Sequence, residues 1–240
     1  RGVGFDVAVG RLPIVPAAVL FDLLGGDMRI RPGAAAGDAA WAAASGAEPT
    51  EGNVGAGAGA VVGKVFGIQH AMKGGVGTAS VTVGGVTVGA LIACNALGDV
   101  IDPDTAQVMA GARTDDGRAL RDTRRALLCG QPPQPLLAGT NTTIGVVATD
   151  AILTKVQAHR LAIAAHDGLA RSINPVHTMS DGDTLFSLGT GRAGKSLGMM
   201  VLATMAAEAT ARATVRAVQA ARSVTTADGL YLPAMADLRS

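Results

Sequence analysis

The chain has 240 residues, enough to bury a sizeable core, and a formal net charge of +1. Nucleic-acid-binding domains carry a concentrated basic face, so this charge excludes a dedicated nucleic-acid binder. Hydrophobic residues make up 48% of the chain but aromatic residues only 2%, which predicts a core of Ala, Val, Leu, Ile and Met side chains.

The number of cysteines indicates the redox state of the cellular compartment. Cys94 and Cys129 are too few for a disulfide framework. We expect both thiols to be free in a reducing cytoplasm, with a single bridge as the alternative. No signal peptide is recognisable, and no uninterrupted apolar stretch is long enough to span a membrane. The sequence therefore predicts a cytoplasmic protein without a membrane partner.

The N-terminal part of the chain alternates apolar and glycine-rich segments. The run "LPIVPAAVLFDLL" (12–24) predicts a buried strand entered through Pro16, and "GDAAWAAASGA" (37–47) predicts a short helix. The glycine-dense segment 51–67 has the composition of a linker, but it passes into an apolar run that favours a strand. These segments therefore predict two strands and one helix.

The clearest local signal covers residues 78–95. Two β-branched runs flank Gly84-Gly85, which is typical of a hairpin with a two-residue turn. A polar stretch rich in Asp and Arg follows over 99–125, and its mixed charges indicate a solvated face. The prolines of 130–140 predict an irregular connection.

The C-terminal part predicts alternating strands and helices. A strand is expected over 141–150, followed by a helix over 151–172 with Asp150 as its N-cap. The apolar positions of that helix recur at helical spacing and are Ile152, Val156 and Ile163. A loop entering a strand is expected over 173–189, and a helix over roughly 197–222. Clustered strands with helices before and after them indicate a layered α/β sandwich.

The segment "GTGRAGKS" (189–196) matches the phosphate-loop pattern at every fixed position. It lies between a predicted strand and a predicted helix, which is the context such a loop needs. A phosphate loop also needs an acidic residue at the end of another strand to help hold Mg²⁺, and no strand after the motif supplies one. Nucleotide binding is therefore an alternative function, and a non-catalytic structural protein is another.

The triplet Asn141-Thr142-Thr143 suggests a different chemistry. A threonine hydroxyl is a poor nucleophile without a base, and an N-terminal threonine can use its own α-amine as that base. The pKa of a free α-amine, about 7.7–8.0, is close to a working pH. The hypothesis is that the precursor cleaves itself between Asn141 and Thr142. The triplet is also a glycosylation sequon, and alone it is weak evidence.

Four segments together carry a family resemblance. They are "GAGAGAVVGKV" (55–65), "ALIACNALGDVID" (90–102), "GTNTTIGVVATDA" (139–151) and "PVHTMSDGDTLFSL" (175–188). In this order and spacing the chain resembles the DmpA-type self-processing aminopeptidases, a family that includes β-aminopeptidases and nylon-oligomer hydrolases. The resemblance runs over nearly the whole chain, and the threonine nucleophile makes it more similar to the nylon-oligomer hydrolases.

The resemblance implies a fold and an activity. The fold would be an αββα-type sandwich of the N-terminal-nucleophile hydrolase kind, with one catalytic domain formed by residues 1–141 and 142–240. The family has a further segment before the point where this chain starts, so we expect the first part to be incomplete. The activity would be hydrolysis of amide bonds in short peptides or related oligomers, including 6-aminohexanoate oligomers. No metal and no cofactor would be needed, and the assembly would be a homo-oligomer, a tetramer of αβ units.

The resemblance also implies roles for single residues. Thr142 would be the nucleophile, and its freed amine the general base, after cleavage leaves Asn141 as the last residue of the first part. Lys64 would lie beside the Thr142 hydroxyl, and its ammonium group would keep the Thr142 amine neutral. Asn95 would donate its amide to the oxyanion. Without the family resemblance, the sequence alone predicts that Lys64 is a surface lysine and that Asn95 is a turn residue.

Four further positions bear on the expected site. Asp181 and Asp183 are two residues apart and would share one face of an extended segment, where one or both would hold the Thr142 amine and balance Lys64. The alternative is a simple turn or a calcium-type loop, although no glutamate follows at EF-hand spacing. His177 is expected to make a structural hydrogen bond. Phe21 stands where members commonly have a tyrosine, so a hydroxyl near the nucleophile or the substrate is absent.

Overall fold

The computed structural model describes residues 4–27, 29–135 and 141–238. The strands are β1 (Phe5–Asp6), β2 (Arg11–Leu12), β3 (Val61–Val62), β4 (Met72–Lys73), β5 (Gly75–Val83), β6 (Val86–Cys94), β7 (Asp99–Ile101), β8 (Val108–Ala110), β9 (Ile144–Thr149), β10 (Ile173–Asn174), β11 (Thr184–Gly189), β12 (Val224–Thr225) and β13 (Tyr231–Leu232). The α-helices are α1 (Ala34–Ala43), α2 (Thr123–Leu128), α3 (Lys155–Ser172), α4 (Met199–Gln219) and α5 (Met235–Leu238).

A four-stranded sheet with the order β11-β9-β6-β5 forms the centre of the structure. β5 and β6 are the predicted hairpin: Gly84 and Gly85 both have positive φ, +54° and +73°, as a type I′ turn requires. β6 pairs antiparallel with β9, and β9 pairs parallel with β11 through a crossover that contains α3. A second sheet has the order β10-β7-β8. The predicted α/β class is therefore confirmed.

Helices α3 and α4 pack against each other, α4 covers β5 and β6, and α3 lies on β11. The packing is close. A Cβ atom at Gly77 in β5 would lie 2.1 Å from the carbonyl oxygen of Ala213 in α4, and one at Gly168 in α3 would lie 2.3 Å from the carbonyl oxygen of Ala207. The main core consists of Ala, Val, Leu, Ile and Met side chains with Cys94, as the composition predicts. The core thus contains small side chains and few aromatic ones, because the helices and strands approach each other so closely.

The predicted buried strand over 12–24 is wrong. Only Leu12 belongs to a strand, and the side chains of Ile14, Val15 and Val19 are at least 74% exposed. Proline has no N–H to donate to a sheet, and Pro13 and Pro16 interrupt this run. The apolar composition therefore does not produce a paired strand here.

The predicted start of α3 is also wrong. The carboxylate of Asp150 accepts the Thr87 N–H instead of capping a helix, and α3 begins later with a capping box between Thr154 and Gln157. The residues predicted to be its apolar face, Ile152, Val156 and Ile163, are exposed. Alanine, glycine and leucine form the buried face instead, because α4 packs closely against it.

The other predicted elements are close to those observed. α1, the 61–62 strand, β9, β11 and α4 all lie within or beside their predicted ranges, although α1 buries none of its residues. The prolines of 130–135 lie in an irregular connection, and the rest of the predicted stretch, 136–140, lies outside the described residues. Cys94 is buried, Cys129 is exposed, and both thiols are free. None of the described helices combines the length and the apolar character that crossing a membrane requires.

Candidate active site

The ends of three strands meet at one edge of the central sheet. β6 ends where β9 begins because the two are antiparallel, and β11 begins beside β9 because they are parallel. Their registers pair Ala93 and Thr184 with Ile144. Two residues before Ile144, the same registers place Asn95 on one side of Thr142 and Gly182 on the other. This explains why segments distant in sequence converge on Thr142.

Thr142 is buried, with 3% of its surface exposed. Its N–H donates to the Asn95 carbonyl oxygen at 3.2 Å. On its other side, a Cβ atom at Gly182 would lie 3.2 Å from Thr142 Oγ1, so the hydroxyl lies directly against that glycine. The preceding residue, Asn141, is buried too, and its carbonyl oxygen accepts the Gly182 N–H at 2.7 Å. The Asn141–Thr142 peptide is thus held from both neighbouring segments.

Lys64 is buried in this site and is not a surface lysine. Its Nζ donates to Asn95 Oδ1 at 2.8 Å and to the Asn95 carbonyl oxygen at 2.9 Å. Burial lowers the pKa of Lys64 to about 7, although the carboxylates of Asp181 and Asp183 oppose this shift. The same Asn95 carbonyl oxygen accepts the Thr142 N–H, so it joins the lysine to the backbone of the threonine.

Asn95 is fully enclosed and is not an exposed turn residue. Its Oδ1 accepts the Val61 N–H at 3.0 Å as well as Lys64 Nζ, and its Nδ2 donates to the Phe21 carbonyl oxygen at 2.7 Å. The amide group expected to stabilise an oxyanion is therefore bonded to the backbone of the segment that precedes α1. Its role towards a substrate stays a prediction.

Asp181 and Asp183 bind different groups. Asp183 Oδ1 accepts the Thr143 N–H at 2.8 Å, and Oδ2 pairs with His177 Nδ1 at 3.0 Å. Asp181 Oδ2 accepts from the N–H and the hydroxyl of Thr178, and burial raises the pKa of Asp181. In the intact chain Asp183 thus binds the residue after the expected nucleophile. His177 thus hydrogen-bonds to Asp183, and its structural role stays a prediction.

Sequence reasoning missed Gly182, because it contributes a backbone N–H and not a side chain. The signal that could have found it is the parallel register of β9 and β11, which a single sequence does not provide. An open depression lies over this glycine, lined by His177, Thr178, Asp181, Asp183 and Thr184. Within the described ranges, no three His, Cys, Asp or Glu side chains are grouped so that they could hold a metal ion.

The phosphate-loop motif at 189–196 does not have the geometry of a phosphate loop. The N–H groups of Ala193 and Gly194 donate to the carbonyl oxygens of Asp150 and Gly191. Helix α4 begins only at Met199, so the motif does not lead directly into a helix N-terminus, which a phosphate loop uses to bind its ligand. The match to the pattern is therefore not accompanied by the geometry of a nucleotide site.

Comparisons with known sequences identify the family of this chain. The family model "Peptidase family S58" matches residues 6–232. An uncharacterized aminopeptidase of Mycobacterium leprae is 47% identical over 192 residues, which cover 76% of this chain and 51% of the relative. A 6-aminohexanoate-oligomer endohydrolase of Paenarthrobacter ureafaciens is 30% identical over 182 residues, which cover 75% of this chain and 50% of the relative. The chain spans about half the length of these curated relatives.

Solved structures show the same fold. A β-aminopeptidase of Burkholderia sp. superposes with a TM-score of 0.54 at 28% identity, over 85% of this chain and 57% of that one. An L-aminopeptidase D-Ala-esterase/amidase of Ochrobactrum anthropi, described as a variant of the N-terminal-nucleophile hydrolase fold, superposes with a TM-score of 0.55 at 24% identity, over 81% of this chain and 53% of that one. The chain therefore has this fold and belongs to peptidase family S58.

Proposed function

We propose that this protein is an amide hydrolase whose nucleophile is Thr142, freed by self-cleavage after Asn141. The observation that carries the proposal is the surroundings of Thr142: its hydroxyl lies against Gly182, and its N–H shares the Asn95 carbonyl oxygen with buried Lys64. Nucleophile, amine and cation are the parts that an N-terminal nucleophile needs. Residues 1–141 and 142–240 would then be two chains of one catalytic domain.

The free amine of Thr142 is the general base in this proposal. It would take the proton of Oγ1 as the hydroxyl attacks the substrate carbonyl carbon, and would return a proton to the leaving amine. When Lys64 is protonated, its charge disfavours a second positive charge nearby and so favours the neutral, basic form of this amine. Water then hydrolyses the ester on Thr142. Asp183 holds the strand in place through the Thr143 N–H and is a positioning residue.

The proposed substrates are short peptides or related amide oligomers, in a cytoplasmic enzyme. Relatives named aminopeptidase and 6-aminohexanoate-oligomer endohydrolase support this class. The depression lined by His177, Asp181 and Asp183 is open to solvent and borders Gly182, so it offers an approach to the nucleophile. Hydrolysis of a free-amine dipeptide amide and of a 6-aminohexanoate oligomer, assayed side by side, distinguishes the two kinds of substrate.

The test of the proposal is the fate of the Asn141–Thr142 bond. We expect the purified protein to contain a fragment that begins Thr-Thr-Ile-Gly-Val. Thr142→Ala should leave one chain and no activity, whereas Thr142→Ser, which keeps a hydroxyl, should still cleave. Thr143→Val is the matched control, because it removes the neighbouring hydroxyl at nearly equal size. Intact mass and N-terminal sequencing give the result.

Two outcomes would contradict the proposal as a whole. One is cleavage at this bond in Thr142→Ala, since another nucleophile would then be responsible. The other is a wild-type chain that stays intact and hydrolyses neither substrate class. Activity in an intact wild-type chain would contradict self-processing while leaving the hydrolase class standing.

A further inference from the structure

Gly182 lies beside both reacting groups of the proposed self-cleavage. Its N–H donates to the Asn141 carbonyl oxygen at 2.7 Å. A Cβ atom built on it would lie 3.2 Å from Thr142 Oγ1 and 3.7 Å from that same carbonyl oxygen. One residue thus borders the hydroxyl that would attack and the oxygen on which negative charge would develop.

The position of this donor matches what the chemistry requires. When a hydroxyl attacks a peptide carbonyl, the oxygen becomes an oxyanion, and N–H groups at 2.7–3.1 Å stabilise it if they are already in place. The bond continues the β9–β11 ladder, because Asn141 pairs with Asp181 in parallel and the Thr184 N–H donates to the Thr143 carbonyl oxygen. The ladder therefore holds this donor on the Asn141 oxygen before the reaction starts.

We propose that the backbone N–H of Gly182 is an oxyanion donor for self-cleavage. The inference rests on the proposed function. Thr142 Oγ1 attacks the Asn141 carbonyl carbon, and the hydroxyl proton passes to the Thr142 nitrogen as the C–N bond breaks, which gives an ester and a free amine. Water then attacks the ester carbonyl, the C–O bond breaks, and the products are the Asn141 carboxylate and the Thr142 hydroxyl. Gly182 stabilises the charge on the same oxygen in both steps.

The other polar groups at this site are directed elsewhere. Asn95 lies on the opposite side of Thr142, and its Nδ2 donates to the Phe21 carbonyl oxygen. The carboxylate of Asp181 accepts from Thr178, and that of Asp183 accepts from Thr143. A carboxylate could not stabilise an oxyanion in any case. Among these groups the Gly182 N–H is the donor that lies on the Asn141 oxygen.

The lack of a side chain at Gly182 is explained by the space around Thr142 and not by backbone conformation. The φ of Gly182 lies outside the positive range, so the backbone would accept an alanine without strain. A methyl group there would approach Thr142 Oγ1 more closely than nine in ten real Cβ contacts. The glycine therefore leaves the hydroxyl room to turn towards the carbonyl carbon.

The decisive experiment removes the N–H while leaving every side chain unchanged. Cell-free translation with glycolic acid at position 182 converts the Asp181–Gly182 amide into an ester, which removes the donor. The same change at Gly229, whose N–H donates to the Thr226 carbonyl oxygen at 3.0 Å in a remote turn, is the matched control. Circular dichroism verifies folding of both proteins, and intact mass follows cleavage over time.

We expect the ester at 182 to slow cleavage by about 100-fold or more, the usual effect of removing one oxyanion donor, and the ester at 229 to leave the rate unchanged. Gly182→Ala keeps the N–H and should slow cleavage less. A wild-type rate with the ester at 182 would overturn this inference while Thr142 cleavage stands. A wild-type protein that never cleaves would overturn the proposed function and this inference with it.

Discussion

At the scale of single residues, the site is organised around backbone groups as much as side chains. The Asn95 carbonyl oxygen accepts from both Lys64 and the Thr142 N–H, and the Gly182 N–H donates to Asn141. The family resemblance pointed to Lys64, Asn95 and Thr142 from their motifs. It could not supply the backbone contacts, because these follow from strand register. Nor could it show that the Asn95 amide donates to the Phe21 carbonyl oxygen.

Burial of Lys64 predicts a pH dependence of stability. Its pKa is about 7 in the folded protein against 10.5 for a free lysine, so the unfolded state binds more protons between these values. The free energy of unfolding therefore rises with pH from about 7 to 10.5, by up to about 1.4 kcal/mol per pH unit from this group. Lys64→Met should lose this contribution. Urea unfolding of both proteins across this pH range, in a Thr142→Ala background, measures the difference.

Comparing Lys64→Met with its parent protein cancels the contributions of the other titrating groups. Lys73, whose pKa burial lowers to about 8, is present in both proteins and cancels in the difference. Lys155→Met serves as the control because that side chain is exposed and remains in water in both states. A Lys64→Met protein with the same slope as its parent would show that Lys64 is solvated in the folded state.

At the scale of elements, the sequence predicted secondary structure correctly where a turn fixes the backbone conformation. It was wrong where tertiary packing determines which residues pair or are buried. Gly84-Gly85 specifies its hairpin because both residues need positive φ. The apolar run after Leu12 predicted a strand, but it contains two prolines and pairs with no strand in the described ranges. The buried face of α3 was misjudged because its alanines and glycine contact α4 closely, whereas its larger residues face outward.

The close contact between β5 and α4 predicts a position-specific cost for adding a methyl group. Gly77→Ala would place a Cβ atom 2.1 Å from the Ala213 carbonyl oxygen, so the helix must shift. We expect the free energy of unfolding to fall by about 1–3 kcal/mol, as overpacked cores do. Urea denaturation checks this value.

Gly89 in the adjacent strand is the matched control. A Cβ atom there would meet its nearest neighbour at 3.7 Å, which is ordinary van der Waals contact. Gly89→Ala should therefore be neutral or slightly stabilising, since alanine reduces the conformational entropy of the unfolded chain. Equal losses of unfolding free energy at both positions would mean that the short distance between β5 and α4 does not explain the glycine at position 77.

At the scale of the whole molecule, the homo-oligomer stays a prediction, and exposed apolar residues offer a way to test it. Val9, Ile14, Val15, Val19 and Ile30 are all at least 74% exposed along one N-terminal segment. Exposed apolar side chains are candidates for an association surface where they form a contiguous patch. We expect light scattering coupled to size-exclusion chromatography to give a mass of several αβ units, with a tetramer as the predicted number. Replacing Val15 and Val19 with serine should lower that mass, and a monomeric wild-type protein would contradict the prediction.

The place of β9 in the central sheet has a consequence for folding itself. β9 lies between β6, which precedes the Asn141–Thr142 bond, and β11, which follows it. Once this bond is cut, the sheet joins strands of two separate polypeptides. Unfolding then releases two molecules, so the midpoint of denaturation depends on protein concentration by mass action. An uncut chain folds in a unimolecular reaction, whereas the two parts of a cut protein, once unfolded, would have to meet again in solution.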